Sequence, residues 1–428
     1  MKLKAAPFFR GVRLAGHKSR TANLPIEPLS VTGEIHIPLS RHIGTPAQAI
    51  VKTGDTVKKG QCIGRAVGAV SANVHASVAG TVTSIGTCPD GRSGTIPCVT
   101  VAPNGGQETA YLSPLSDLSS EAIIERIKEC GIVGMGGAGF PTHVKLRPSA
   151  PVDTLILNGA ECESYLTCDD ALMRARSKEI VYGAKYIAAA LGAKQILIAI
   201  EKNKPEAIVA FEKSDLPVIP LKKQYPMGAE KQLIYCCTRR RVPLGKLPAD
   251  VGVIVQNVAT AFAVYEAVEL GKPLIDRVVT VTGEGVEQPK NLLCQIGTPL
   301  SVLAEACGAT ENTVKLVEGG PMTGAALTGT SAVVTKTTGG FLFLSGKETA
   351  VYEPTPCINC GRCASVCPMK LLPMQTEFYT DAKEYDNAAK YGGVLACIEC
   401  GACSYVCPAH RPLAQAIKTA KSELRRKA

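Results

Sequence analysis

Hydrophobic and polar residues change rhythm several times along the 428-residue chain. Over residues 31–102 the pattern is short and alternating, as in Glu34-Ile-His-Ile-Pro, Thr81-Val-Thr-Ser-Ile and Pro97-Cys-Val-Thr-Val. Gly44, Gly54, Gly60, Gly80 and Gly91 punctuate these runs, which predicts an all-β module of short strands and tight turns. From about residue 118 helical periodicity alternates with buried apolar runs. Helices are expected at Glu121–Cys130, Ser177–Leu191, Pro205–Lys213, from Gly228, and at Thr260–Leu270. Strands are expected at Thr154–Asn158, Gln195–Ile200, Leu216–Leu221 and Gly252–Gln256, so this part reads as a parallel sheet covered by helices. Asp276–Gly283 returns to β, and with a helix at Leu300–Cys307 and a strand at Thr313–Glu318 it suggests a β-grasp unit ending near residue 345.

The last segment alternates loop and helix and closes on a helix from about Pro412 to Arg425. The first 30 residues are rich in Pro and basic groups with weak periodicity, and read as a leader draped over a later domain. The expected organisation is therefore a leader at 1–30, a β module at 31–115, an α/β domain at 116–271, a β-grasp unit at 272–345 and a C-terminal domain at 346–428. Within the β module, the sequence from Val51 to Val82 resembles a lipoyl-type barrel-sandwich half-repeat. It lacks a carrier lysine near His75, which favours a structural role; His42 and His75 read as packed residues.

Composition narrows the compartment. No run reaches the roughly 18–20 apolar residues of a membrane helix, and the first ten residues lack the apolar centre of a signal peptide. Eighteen cysteines are tolerable only where thiols stay reduced, so a cytoplasmic protein is expected. The net charge of +10 is concentrated partly in the tail (Lys418, Lys421, Arg425, Arg426 and Lys427), where it suits an acidic partner, an anionic surface or plain solvation; nucleic acid is not expected.

Two cysteine runs carry the clearest chemistry. Cys357-Ile-Asn-Cys360-Gly-Arg-Cys363-Ala-Ser-Val-Cys367-Pro and Cys397-Ile-Glu-Cys400-Gly-Ala-Cys403-Ser-Tyr-Val-Cys407-Pro both follow C-x2-C-x2-C-x3-C-P. That spacing wraps one [4Fe–4S] cluster per run, with the fourth cysteine crossing to the other cluster. Cys357, Cys360, Cys363 and Cys407 are expected to hold one, and Cys367, Cys397, Cys400 and Cys403 the second. Zinc needs no third step and no Cys-Pro, and disulfides would not form two matched blocks. The vicinal Cys236-Cys237 reads as a buried apolar pair.

A second site is the glycine loop Gly131-Ile-Val-Gly134-Met-Gly136-Gly137-Ala138-Gly139-Phe140-Pro-Thr-His-Val-Lys145. It contains G-x-G-G-x-G but follows a helix and runs into Phe-Pro, so it is not the usual dinucleotide fingerprint. Its open backbone and Lys145 still suit a phosphate or a flat ring. Glu161 and Glu163 follow the end of a buried strand, and Tyr225, Gly228, Glu230, Asn257 and Thr260 end neighbouring segments, where open α/β sheets bind ligands. A flavin here would make physical sense, because NADH gives two electrons at once and a [4Fe–4S] cluster takes one.

Taken together, the glycine loop, Asn158-Gly-Ala-Glu-Cys-Glu163, Tyr225-Pro-Met-Gly-Ala-Glu230, Gln256-Asn-Val-Ala-Thr260 and both cysteine runs resemble the RnfC family, the peripheral subunits of Rnf ion-translocating ferredoxin:NAD+ oxidoreductases. The α/β part is similar in turn to the flavin-bearing subunit of respiratory complex I. The resemblance implies a multidomain α/β protein with a barrel-sandwich module, a Rossmann-like FMN/NADH domain, an SLBB β-grasp unit and a two-cluster ferredoxin-like domain. It implies non-covalent FMN held by Gly134, Gly136, Gly137, Lys145, Asn158, Asn257 and Thr260, with Ala138 and Gly228 as further cofactor-binding candidates. Phe140, Glu161, Glu163, Tyr225 and Glu230 become candidates around NAD(H), with Glu161 and Glu163 as the catalytic carboxylates. It further implies integral-membrane and cluster-carrying Rnf partners, indirect exchange with ferredoxin, and attachment to the cytoplasmic face of the membrane through those partners. Ser164 and Cys168 depart from the family's Pro and small residue, and Gly11–His17 lacks the usual His-Pro-Pro. The related cobalamin reductases, or a flavin-free electron wire, are the competing readings.

Overall fold

The computed structural model describes residues 5–8 and 10–427. Alternation of inward and outward residues builds the β module as two facing sheets. One is antiparallel, with strands in the order Ile35–Pro38, Thr95–Pro103, Gly80–Pro89 and Thr56–Val57; the other contains Gln48–Ala49, Cys62–Arg65 and Val74–His75. Ile35, Ile37, Val82, Val99 and Val101 point inward against Ile63 and Val74, all at most 2% exposed. His75 is packed inside, and burial together with the Lys336 charge holds its pKa down to about 3.

The central sheet has four parallel strands in the order Val218–Leu221, Gln195–Glu201, Thr154–Gly159 and Val253–Asn257. Its strands read as nearly unbroken apolar runs because both faces are covered. Leu155, Leu157, Ile198 and Ile200 meet the helices Ser120–Glu129, Cys168–Leu191 and Val258–Glu269 on one side. Ile156, Leu197, Ala199, Val253 and Val255 meet the helix Glu230–Thr238 on the other. The helix expected from Ser177 begins nine residues earlier, at Cys168, and kinks at Arg176, where the backbone leaves helical geometry (φ −134°). Its first turns carry buried Asp169 and Asp170, so they lack the apolar stripe that marks a helix in the sequence.

The β-grasp unit forms a six-stranded sheet in the order Ile26–Pro28, Lys290–Gln295, Asp276–Thr282, Gly340–Ser345, Thr313–Glu318 and Ala325–Leu327. The helix Leu300–Ala306 packs Leu300 and Leu303 against Val279, Val281, Phe341 and Phe343. Its edge strand comes from the leader, which therefore does more than drape: Ile26–Pro28 pairs in parallel with Asn291–Leu293. In the C-terminal domain the helices Pro373–Asp381 and Leu413–Lys427 flank the cysteine loops, and Val394, Leu413, Ile417 and Ala420 form a small core with Cys363 and Cys403.

Candidate functional site

Strand order creates the crevice. Thr154–Gly159 and Val253–Asn257 lie side by side with Asn158 and Asn257 in register, while the other two strands stack on the opposite side. Connections diverge at this point, and such switch points are where open α/β sheets bind ligands, in the crevice beyond the C-terminal strand ends. The glycine loop lies over these strand ends. Met135 N–H donates to Thr260 Oγ1 (2.9 Å), Gly134 N–H donates to the Phe140 carbonyl (2.8 Å), and a bridge between Val133 and Pro141 closes the base. Gly136 has φ +88°, and a Cβ there would come within 2.7 Å of Asn257 Nδ2. Both facts require glycine. Gly136, Gly137 and Ala138 are exposed, and a Cβ on Gly137 would meet nothing within 4 Å. Phe140 is half-buried at the loop's far end. Gly139 instead abuts Thr337 and the Arg41–His42 backbone, so the barrel-sandwich and β-grasp modules buttress the loop.

Polar side chains beneath the loop are committed to one another. Asn257 Oδ1 accepts from Ala259 N–H (2.7 Å), capping the helix Val258–Glu269, and its Nδ2 donates to Asp169 Oδ2 (2.7 Å). Asn158 Nδ2 donates to the Gly228 carbonyl (2.9 Å), and its Oδ1 accepts from Ala160 N–H. Lys145 Nζ donates to the Val255 carbonyl (2.7 Å) and to Glu230 Oε1 (2.8 Å), with its side chain 27% exposed. Asp169, which no motif marks, is buried, and burial followed by the Glu161 charge pushes its pKa up to about 6. Gly134, Gly136, Gly137, Lys145, Asn158, Gly228, Glu230, Asn257 and Thr260 thus gather around one crevice. An exposed glycine backbone against Asn257 and a partly buried lysine on the Val255 carbonyl of the same strand are chemically suited to a phosphate-bearing flat cofactor.

Glu161, Glu163 and Tyr225 are each held by bonds to segments distant in sequence. Glu161 (φ +43°) accepts from Asp169 N–H (2.8 Å), and its 4%-exposed side chain lies 3.5 Å from Lys18 Nζ and 3.9 Å from Lys204 Nζ. Lys204 Nζ also donates to the Ala160 carbonyl (2.7 Å). Glu163 accepts from Met322 N–H (3.1 Å), Thr323 N–H (3.0 Å) and Thr323 Oγ1–H (2.6 Å), fastening the α/β domain to a β-grasp loop. Tyr225 is 4% exposed, and its hydroxyl donates to the Cys400 carbonyl (2.7 Å). Ser164, a departure from the family pattern, donates its hydroxyl to the Ala15 carbonyl (2.6 Å) and so ties this segment to the leader. Lys18 and Lys204 carry no motif that could have flagged them.

Eight cysteines line two small cavities, four to each. Cys357, Cys360, Cys363 and Cys407 line the first with Met374 and Leu413. Cys367, Cys397, Cys400 and Cys403 line the second with Leu371 and Ile417. The structure joins none of the eighteen cysteines in a disulfide. Among the described residues no three His, Cys, Asp or Glu side chains converge closely enough for a single ion. Four thiols around an apolar cavity suit a polynuclear iron–sulfur group. The second cavity is the inner one: Cys400 and Ala402 pack with Val12 and Tyr225, and Met322 backs onto Gly401. The first faces outward, with Cys357 and Cys360 exposed.

Comparison with known proteins assigns each module. Residues 6–106 match the family described as the RnfC barrel sandwich hybrid domain, and 127–266 the Nuo51 FMN-binding domain. Residues 278–326 match the SLBB domain, and 349–408 the 4Fe-4S dicluster domain. A subunit of the "Ion-translocating oxidoreductase complex" of Rhodobacter capsulatus is 44% identical over 97% of this chain and 82% of its own length. A subunit of the "Proton-translocating ferredoxin:NAD(+) oxidoreductase complex" of Clostridium ljungdahlii is 43% identical over 98% of this chain and 94% of its own. The chain belongs to the RnfC family. It is thus an oxidoreductase-complex subunit with an FMN-binding domain of NADH dehydrogenase type. The Na(+)-translocating counterpart from Acetobacterium woodii is 39% identical over 99% of this chain and 98% of its own. The fold is also shared with an NAD+-reducing [NiFe]-hydrogenase crystal structure in the H2-reduced state (TM-score 0.50, 18% identity, 73% of this chain and 63% of the other). Among the described residues, no helix of this RnfC-family chain is long and apolar enough to cross a membrane.

Proposed function

We propose that this chain is the RnfC subunit of a membrane-bound Rnf complex, moving electrons between NAD(H) and ferredoxin through FMN and two [4Fe–4S] clusters. Partner subunits, integral-membrane and cluster-carrying, would couple that flow to Na+ or H+ movement and hold the chain at the cytoplasmic face. The observation that carries the reading is adjacency. One segment links the switch-point residues to the inner cysteine group: Asn158 donates to the Gly228 carbonyl, three residues from Tyr225, whose hydroxyl donates to the Cys400 carbonyl. Bound FMN supplies hydride acceptance and single-electron release.

The chain's own residues do the rest. Lys145 gives a cation for the phosphate, and Gly136 and Gly137 let backbone approach a ring or phosphate closely. Asn257, Asn158 and Thr260 keep the crevice walls fixed through the bonds described above. Glu161 and Glu163 act as positioning residues in this reading. Met374 and the surrounding aliphatic side chains shield the outer cluster, and the buried thiols Cys367, Cys400 and Cys403 hold the inner one (each 8–9% exposed).

Anaerobic reconstitution tests it. About eight irons and one FMN per chain, with NADH reducing the clusters, are expected; eight irons without FMN and without NADH reduction would leave only an electron wire. Lys145→Ala should lower FMN occupancy while iron content stays the same, and unaltered FMN affinity would refute the phosphate role.

A further inference from the structure

The leader touches the α/β, β-grasp and C-terminal modules, and its most pointed contacts fall beside the inner cysteine group. Gly11 N–H donates to the Val366 carbonyl (2.8 Å), and Arg10 Nη1 donates to the Ala364 carbonyl (2.8 Å) and approaches that of Cys367 (3.5 Å). Val12 pairs with Tyr225 in both directions (2.8 and 2.9 Å), and Tyr225 in turn bonds Cys400. Gly11 has φ +92°, and a Cβ there would overlap the Tyr225 carbonyl, so the approach is one only glycine permits. Further along, the Ala15 and Gly16 carbonyls accept from Ser164 Oγ–H and Tyr165 N–H, His17 stacks on Tyr165 (4.8 Å), and Lys18 donates to the Glu161 and Leu166 carbonyls (2.7 and 2.6 Å).

The C-terminal domain's own tether cannot do this. Residues 349–361 contain no helix or strand, residues 351–360 are all exposed, and Val351 is 92% exposed. Within it Thr355 N–H donates to the Ala409 carbonyl (3.0 Å) and Tyr352 stacks on His410 (4.0 Å), so these bonds run back to the C-terminal domain and not to the α/β sheet. Orientation must come from contacts between folded parts.

We propose that the leader is a positioning strap. Arg10, Gly11 and Val12, acting with Tyr225, hold Cys367, Cys397, Cys400 and Cys403 in one orientation against the α/β sheet. Removing the strap loosens the inner cysteine group and leaves the crevice intact. The redox meaning of this strap rests on the function proposed above; the mechanical part does not.

The test uses the full chain, purified anaerobically with its iron, as wild type, Arg10→Ala and Gly11→Ala. Hydrogen exchange of residues 362–368 and 397–403 is the primary readout. Losing the charge-assisted bond of Arg10 should speed exchange there by about tenfold, and Gly11→Ala should do so by at least as much. Low-temperature EPR of the reduced protein should change for one cluster signal only, and bleaching of bound FMN by NADH should be unaltered in Arg10→Ala. Wild-type exchange in both segments for both variants would overturn the strap. A wild-type protein that binds no FMN would overturn the proposed function instead, and the exchange comparison would still decide the strap.

Discussion

Glu163→Gln separates a mechanical role from a chemical one at a carboxylate that the motif alone would call catalytic. The side chain accepts three hydrogen bonds from the β-grasp loop, one at 2.6 Å from Thr323 Oγ1 and two from the backbone of Met322 and Thr323. Glutamine can still accept both Thr323 bonds on its carbonyl oxygen. It then presents an NH2 group to Met322 N–H, losing a charge-assisted bond worth about 1.5–3 kcal/mol. Part of this is offset, because burial pushes the Glu163 pKa up and the neutral amide escapes that desolvation cost. A net loss of about 1–2 kcal/mol is expected, which corresponds to about 5- to 30-fold faster local opening. Hydrogen exchange of residues 320–324 reads it directly. Gly320→Ala should mimic the effect, since a Cβ there overlaps the Glu163 carboxylate. Unchanged protection in Glu163→Gln, together with lost flavin reduction by NADH, would refute the clamp and restore a chemical role.

Two other outcomes are expected. Lys336 is buried, donates to the Asn73 and Gly131 carbonyls (2.6 and 2.7 Å), and has its pKa lowered from 10.5 to about 7, chiefly by desolvation. The unfolded chain therefore holds one more proton than the native state between those values, so Lys336 makes stability rise as pH climbs from about 7 toward 10.5. Lys336→Met should flatten that rise in urea midpoints measured across the range; an identical slope in wild type and variant would count against it. Cys407→Ser should remove about half of the iron and the signal of the outer group, although Cys407 belongs to the second run, and Cys367→Ser should do the reverse. Loss confined to each residue's own run would contradict the crossed arrangement of the two cavities.

Much of the architecture is written locally. Parallel strands buried on both faces produce continuous apolar runs, so Thr154–Gly159 and Gln195–Glu201 stand out in the sequence to within a residue or two. Alternation marks Ile35–Pro38 and Thr95–Pro103 for the same kind of reason. The first turns of Cys168–Leu191 leave no such mark because they bury Asp169 and Asp170, polar residues made tolerable by partners such as Asn257 and Arg174.

Within the candidate site, the glycine loop is legible because repeated glycines have few other uses, and the cysteine runs are legible because one loop must wrap one group of ligands. What Glu161, Glu163 and Tyr225 touch cannot be read from the same motifs. Their partners lie far off in sequence: Lys18 is 143 residues from Glu161, Thr323 is 160 from Glu163, and Cys400 is 175 from Tyr225. Periodicity and ligand spacing act over a few residues, so they suffice to lay out the modules and the chemical groups each one carries. Sheet order, the strap made by the leader, and the choice of which cysteine group packs against Tyr225 rest on contacts between segments that meet only after folding, which is why they emerge in the folded chain and nowhere in its local patterns.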